Sequence, residues 1–449
     1  MKAATTAQQR PRDAKLLVVD AQGRLQHAAR SQLASLLRPG DLLVANDAAT
    51  LPASLHGIHE RSGEAIEVRL AGRHSLGNCS PQARSARGPR GAPPALGRPG
   101  GGLDDVREFT AIVFGAGDHR TRTEDRPAPP ALHAGDRLQL GPLHSTVRRV
   151  LDHARLIELR FDGKPDAIWA GLARHGKPIQ YAHVTQPLAL WDVWTQVAAL
   201  PVAFEPPSAG FVLDWALLGA LRAHGVGFAT LTHAAGISST GDAVLDARLP
   251  FDEPYHLPAS TVQAIERTRV AGGRVIALGT TVTRALEHAA SLGSLRAGDG
   301  LATQRLGPHS RLRVVDALLS GTHEPGSSHY ELLRAFANDE VLRRSSEALE
   351  RHGYLTHEFG DSVLIEGQRR AAPSWPRPSG AATSHSDEAG GSRSLERTRK
   401  NLQTEPRDHD HRVDRHAHGA GHVEERRQHR RAEHALDKAA EAVEQHAAP

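Results

Sequence analysis

The chain has 449 residues, a formal net charge of +4 and 39% hydrophobic residues. That length is too great for one ordinary core and predicts two or three domains, and the sequence pI near 9.4 is a mild basic bias, compatible with nucleic acid but not diagnostic of it. The single cysteine, Cys79, excludes an intramolecular disulfide framework and a Cys-based metal site. The N-terminus is polar with no apolar signal region, and no window reaches the roughly 18–20 apolar residues of a membrane helix, so a cytoplasmic protein without membrane contact is expected.

Residues 16–20 read as a short strand, residues 31–37 have helical spacing, and residues 41–47 form a buried strand closing on Asn46 and Asp47. Ligands gather at strand ends in α/β folds, although a plain turn explains these two polar residues equally well. From Glu64 the character changes. Residues 64–70, 109–114, 137–140, 145–151 and 156–161 are short and β-rich, with turns at Gly141-Pro142 and Asp162-Gly163. That spacing predicts a small antiparallel barrel or sheet set inside a larger domain. Residues 75–102, rich in Gly, Pro, Arg and Ser, read as a disordered insertion.

A short helix over 166–175 leads back to the main domain. A helix over 188–200 carries Trp191 and Trp194, which either stack on a base or pack in the core. A strand at 202–204, a helix at 215–224, a strand at 227–231 and a helix at 260–271 follow, and residues 312–315, 330–336, 339–351 and 363–366 complete the core. Strands alternating with helices imply a largely parallel sheet. The expected division is an α/β main domain over 14–60 and 165–366, an inserted β-barrel module over 61–164 and a disordered tail over 367–449. The tail histidines, His409, His411, His416, His418 and His422, read as solvated rather than metal-binding.

The most informative stretch is Val275-Ile276-Ala277-Leu278-Gly279-Thr280-Thr281-Val282-Thr283-Arg284. Four apolar residues predict a buried strand, Gly279 a turn closed to other residues, and a threonine the cap of the next helix. The helix start offers free N–H donors to an anion or polar edge, with Arg284 about one turn on. An ordinary strand-to-helix connection has the same pattern, and the turn lacks the second glycine and the lysine of a phosphate loop.

With these elements placed, the chain resembles the S-adenosylmethionine:tRNA ribosyltransferase-isomerases of queuosine biosynthesis, over residues 16–366 without the 75–102 insertion. Residues 276–287 are close to that family's I-A-V-G-T-T-V-x-R-x-L-E. Gly40 to Asp47 resembles P-G-D-L-L-V-x-N-D-T, Pro207-Ser208-Ala209-Gly210 resembles P-T-A-G, Asp316 to Leu319 with His323 and Pro325 resembles D-x-L-L-T-N-F-H-L-P, and Gly360-Asp361 resembles the closing G-D-A-M-L-I. The chain departs from the pattern at Ala49, Val212 and Phe251, where the family has an arginine and two histidines, and at Gly321-Thr322.

The resemblance implies an α/β domain with an inserted barrel. It implies transfer and isomerisation of the ribosyl group of S-adenosylmethionine onto a 7-aminomethyl-7-deazaguanine at the tRNA wobble position, without a metal, by what is expected to be a monomer. On the matching positions, Glu253, His323 and Asp361 are the acid/base candidates, with a turn role open for each and favoured for Asp361, and Asn46, Asp47, Gly279, Thr280, Thr281 and Arg284 the substrate-binding ones. His233 is a candidate stand-in for a family histidine one position away. Arg284 would clamp a carboxylate or pair with Glu287 or another carboxylate. As a clamp, its loss would cost about 1.5–3 kcal/mol of binding with little change in melting temperature. Arg120, Arg122 and Arg126 lie on a predicted loop of the inserted module and either contact tRNA phosphates or are solvated. The departures leave two alternatives: a non-catalytic RNA-binding paralogue, or an S-adenosylmethionine-using enzyme with another acceptor.

Overall fold

The structure is a computed structural model, and it describes residues 1–11, 13–72, 107–291 and 293–367. The expectations for residues 75–102, including Cys79, and for residues 368–449 lie outside the described residues.

The main domain is built on a nine-stranded mixed sheet. Its order is Gly298–Ala302, Glu253–Leu257, Gly227–His233, Leu42–Asn46, Val275–Leu278, Ala317–Gly321, Ser362–Glu366, Lys15–Val19 and Leu25–Ala29. The four central strands from Gly227–His233 to Ala317–Gly321 run parallel. Ser362–Glu366 then turns antiparallel, and both edges close with antiparallel pairs. The largely parallel sheet expected from the strand–helix alternation is therefore mixed: parallel at its centre and again between Ser362–Glu366 and Lys15–Val19, antiparallel elsewhere.

Alternate residues of the central strands feed opposite faces, as the two-residue strand period requires. Val44, Val275 and Ala277 join Val282, Leu286, Ile265 and Leu349 from three covering helices, Thr280–Ser291, Ala259–Val270 and Asp339–Arg351. Leu43, Ala45, Ile276 and Leu278 join Leu221 of helix Trp215–Ala223 and Leu33 on the other face. Burial on both faces explains why these strands read as continuous apolar runs.

The inserted module is a closed six-stranded antiparallel barrel of Ser54–His59, Ala65–Gly72, Glu108–Phe114, Arg137–Leu140, Leu143–Val150 and Leu156–Phe161. Its inward residues, among them Leu55, Val68, Phe109, Val113, Leu138, Val147 and Leu159, fill one core. Helix Pro165–His175 closes it through Ile168 and Leu172. The barrel takes in Ser54–His59, ahead of residue 61, where the sequence reading starts the module. That strand carries His56, Gly57 and His59 and lacks a clean alternation. A side chain at 57 would meet the Gln139 carbonyl oxygen at 1.9 Å, so only glycine allows the neighbouring backbone so close.

One further expectation is corrected. The helix expected over 188–200 is only Leu190–Val193. Trp194 is extended, donates its ring N–H to the Thr50 carbonyl at 2.9 Å, and Trp191 is 76% exposed, so core packing does not describe Trp191. Residues 312–315 do join the core, through Val314 and Val315, while the amides of Arg313, Val314 and Val315 donate to the Glu287 carboxylate.

Candidate active site

Gly279 has φ +100°, and its amide donates to the Leu319 carbonyl, tying two strand ends together as the helix starts at Thr280. A side chain at 279 would sit 3.2 Å from Ala209 Cβ, so the Pro207–Gly210 turn packs directly on this corner. Asn46 stitches the same region. Its Nδ2 donates to the His233 carbonyl at 3.0 Å and reaches Thr281 Oγ1 at 3.4 Å, while its Oδ1 accepts from the amides of His233 and Ala48. Asp47 accepts from Thr230 Oγ1 at 2.7 Å and Thr232 Oγ1 at 2.6 Å on the adjacent strand. Asn46 and Thr281 are thus brought together, whereas the Asp47 carboxylate turns to the neighbouring strand.

Arg284, one helical turn on, is buried. Its Nη1 pairs with Glu253 Oε2, and its other guanidinium nitrogens donate to the carbonyls of Phe251, Ala302 and Gln304. Of the two readings left open, the carboxylate pair is the one the structure has, with Glu253 rather than Glu287 as partner. Glu253 Oε1 accepts from the Gly236 amide at 2.6 Å. Burial pushes the Glu253 carboxyl up, and Arg284 and the Gly236 amide only partly offset it.

His233 Nε2 lies 3.5 Å from Glu253 Oε2, and the residue has no solvent exposure. Burial, with Arg284 beside it, pushes the imidazole well below its ordinary range, and neither ring nitrogen has a hydrogen-bond partner. A neutral, unpartnered imidazole beside a raised carboxyl is an arrangement able to exchange a proton.

His323 follows the strand that carries Leu319. Its Nε2 is 2.8 Å from Ser320 Oγ, and its ring stacks on His329 with centroids 4.9 Å apart. Burial, then His329 and His357, push it well below the ordinary histidine range. His329 is lowered by burial and then by Arg284, which links the histidine pair electrostatically to the Glu253 site. The sequence reading missed His329. Its signal is position, since Ser327 caps the Ser328–Leu333 helix and that helix carries His329 at its start, just beyond His323.

Asp361 is held differently. Its two carboxylate oxygens accept from the amides of Lys15 at 2.6 Å and Leu355 at 2.8 Å, so it fixes the turn before the closing strand. Of the three arginines placed on one loop, Arg120 and Arg122 are exposed, beside Asp118 and Glu124. Arg126 is buried. It pairs with Glu67 and donates to the carbonyls of Gly115 and Gly117, its guanidinium over the Phe114 ring.

The departures from the family pattern are absorbed into cores. Phe251 packs with Ile112, Phe114 and Ile237, Val212 packs with Leu278 and Leu319, and Ala49 is buried in a two-residue strand against Pro201–Ala203.

Residues 1–365 match the family model described as Queuosine biosynthesis protein. The chain is 33% identical over 364 residues to a S-adenosylmethionine:tRNA ribosyltransferase-isomerase of Synechococcus elongatus, covering 79% of this chain and 90% of that protein. It is 30% identical over 357 residues to the protein of the same name from Azoarcus sp., covering 78% and 90%. A solved S-adenosylmethionine tRNA ribosyltransferase of Thermotoga maritima is 21% identical with a TM-score of 0.39, covering 81% of this chain and 95% of that one. With a family match over residues 1–365 and relatives of this identity, the chain belongs to the queuosine biosynthesis protein family.

Proposed function

We propose that this chain is an S-adenosylmethionine:tRNA ribosyltransferase-isomerase. It moves the ribosyl group of S-adenosylmethionine onto a 7-aminomethyl-7-deazaguanine at the tRNA wobble position, giving epoxyqueuosine. The observation that supports this most is the gathering of Asn46, Thr281, His233, Glu253 and Arg284 near the carboxyl ends of the central strands, in a member of that family. Open α/β sheets bind ligands there.

The reaction needs a base for a proton beside the sulfonium and an acid for the departing adenine. Glu253 is the base, desolvated enough to hold a proton once it has taken one, with His233 beside it and Arg284 positioning it. His323, which burial keeps neutral at rest, protonates the departing adenine only after first taking up a proton itself, and the helix start at Thr280 and Thr281 receives the methionine carboxylate. Asn46 fixes the geometry of these strand ends, and Asp361 and Arg126 hold the scaffold. Arg120 and Arg122 meet tRNA phosphates. The working unit is a monomer in the cytoplasm, and no step is given to a metal. No helix among the described residues is long and apolar enough to cross a membrane.

The test is release of adenine from S-adenosylmethionine with and without precursor tRNA. Release that depends on the precursor tRNA is the expected result. Release with another acceptor would move the chain to a different reaction, and tight tRNA binding without release would make it a binding paralogue.

A further inference from the structure

We propose that His183, His357 and Glu358 bind one divalent transition-metal ion of the zinc type, clamping the segment that returns from the barrel to the turn before the closing strand. One ligand atom from each of the three residues lies within 4.8 Å of the other two. His183 Nε2 is 2.7 Å from Glu358 Oε2, and the His183 and His357 rings lie side by side with centroids 4.2 Å apart, close enough that turning the His357 ring out of the stack brings both nitrogens to one ion. Two imidazoles and one carboxylate, with metal–ligand bonds of about 2.0–2.2 Å, are a recurrent zinc set that leaves a fourth position for water. In a tetrahedral site of that size the ligands stand about 3.3 Å apart, so seating the ion requires them to close in from within 4.8 Å by turning about their side-chain bonds.

The surroundings fit an ion. A cavity with room for about one water touches His183 and Glu358, two of the three ligands, together with Tyr181 and Glu205. The Tyr181 ring lies parallel to that of His183, and Phe359, next in the chain to Glu358, stacks on Phe211. These aromatics fix the ligand-bearing segments, as outer-shell groups do in metal sites. His357 is exposed, so the ion has an entrance. It is also the one non-glycine residue with positive φ, +71°, among the described residues. Backbone in that region is strained for a residue with a side chain, and such residues cluster at ligand clamps. None of the three residues has a step in the ribosyl transfer.

The experiment uses the full chain, stripped with a chelator and dialysed free of it. Zinc is titrated into the wild type, His357→Asn and Glu358→Gln, by calorimetry and by thermal melting. Asparagine tolerates the left-handed backbone and is a poor zinc ligand, so His357→Asn keeps the fold. The histidines of residues 368–449 are common to all three proteins, so the difference between proteins isolates this site. The wild type should take up one tight equivalent more than either variant, and zinc should raise only the wild-type melting temperature. Cobalt should give the wild type a tetrahedral visible absorption that His357→Asn lacks. Equal stoichiometry in all three proteins, or a cobalt spectrum unchanged by His357→Asn, would overturn the proposal.

Discussion

Arg284 Nη1 pairs with Glu253 Oε2 inside the protein, and Nε and Nη2 donate to the carbonyls of Gln304, Phe251 and Ala302. Four of the five N–H donors are thus committed, which leaves a single Nη1 hydrogen and rules out a two-pronged clamp on a ligand carboxylate. Removing it leaves Glu253 buried and uncompensated, and breaking a buried pair from one side costs about 3–5 kcal/mol. Arg284→Ala should therefore lower the melting temperature markedly, against the small change expected of a ligand clamp. Adding Glu253→Gln, which removes the stranded charge, should recover part of the loss in chemical denaturation. An Arg284→Ala protein as stable as wild type would show that the pair does not hold the site.

Glu253→Gln keeps the size of the side chain and an acceptor for the Gly236 amide. S-adenosylmethionine binding by calorimetry should stay near that of the wild type while adenine release is lost. Because burial raises the Glu253 carboxyl, the wild-type rate should rise with pH through a midpoint above the ordinary carboxylate range, about 4.3. Full adenine release by Glu253→Gln would remove Glu253 as the base.

Much of this was legible in the sequence where burial is two-sided. Val275–Leu278 and Leu42–Asn46 read as strands because both faces are covered, and Gly279 announced its turn. Glu253–Leu257 was not legible as a strand, since Pro254 and His256 break its apolar pattern and its partners, Gly227–His233 and Gly298–Ala302, are antiparallel and distant in sequence. The same distance hid the site. Glu253 and Arg284 are 31 residues apart, and only the sheet order brings them into contact. His183 and Glu358 were hidden for the same reason, 175 residues apart and joined by two loops.

The three loop arginines should separate in experiment. Arg126→Ala removes one of the two arginines paired with Glu67, whose carboxyl burial would raise but Arg69 and Arg126 together hold down at about 2, and leaves the Arg69 pair in place. It should cost stability, but less than the roughly 3–5 kcal/mol of a buried charge left without any partner, and act on tRNA only through unfolding. Arg120→Ala with Arg122→Ala should leave melting within experimental error. If both arginines meet phosphates, the double change should flatten the salt dependence of tRNA binding by about one to two in log–log slope. An unchanged slope would mean that these arginines are merely solvated.

The last prediction concerns Glu205, which precedes the Pro207–Gly210 turn. Its Oε1 accepts from the Tyr181 hydroxyl and from the Ser238 amide at 3.0 Å. Burial pushes this carboxyl up to about 7 from 4.5, and those two donors offset only part of the rise. A carboxyl with a raised folded-state pKa binds its proton more tightly folded than unfolded. Its contribution is full below pH 4.5, declines as pH rises towards 7, and is gone above that. The loss across that window is about 3 kcal/mol at 1.36 kcal/mol per unit. Glutamine keeps the acceptor oxygen and never ionises. Glu205→Gln should therefore be close to wild type in unfolding free energy at pH 5 and more stable by up to about 3 kcal/mol at pH 8. Denaturant titrations at the two pH values measure the difference. If the stability gap stays constant between them, Tyr181 and Ser238 stabilise the carboxylate as well as water does, and Glu205 is an ordinary ionised residue.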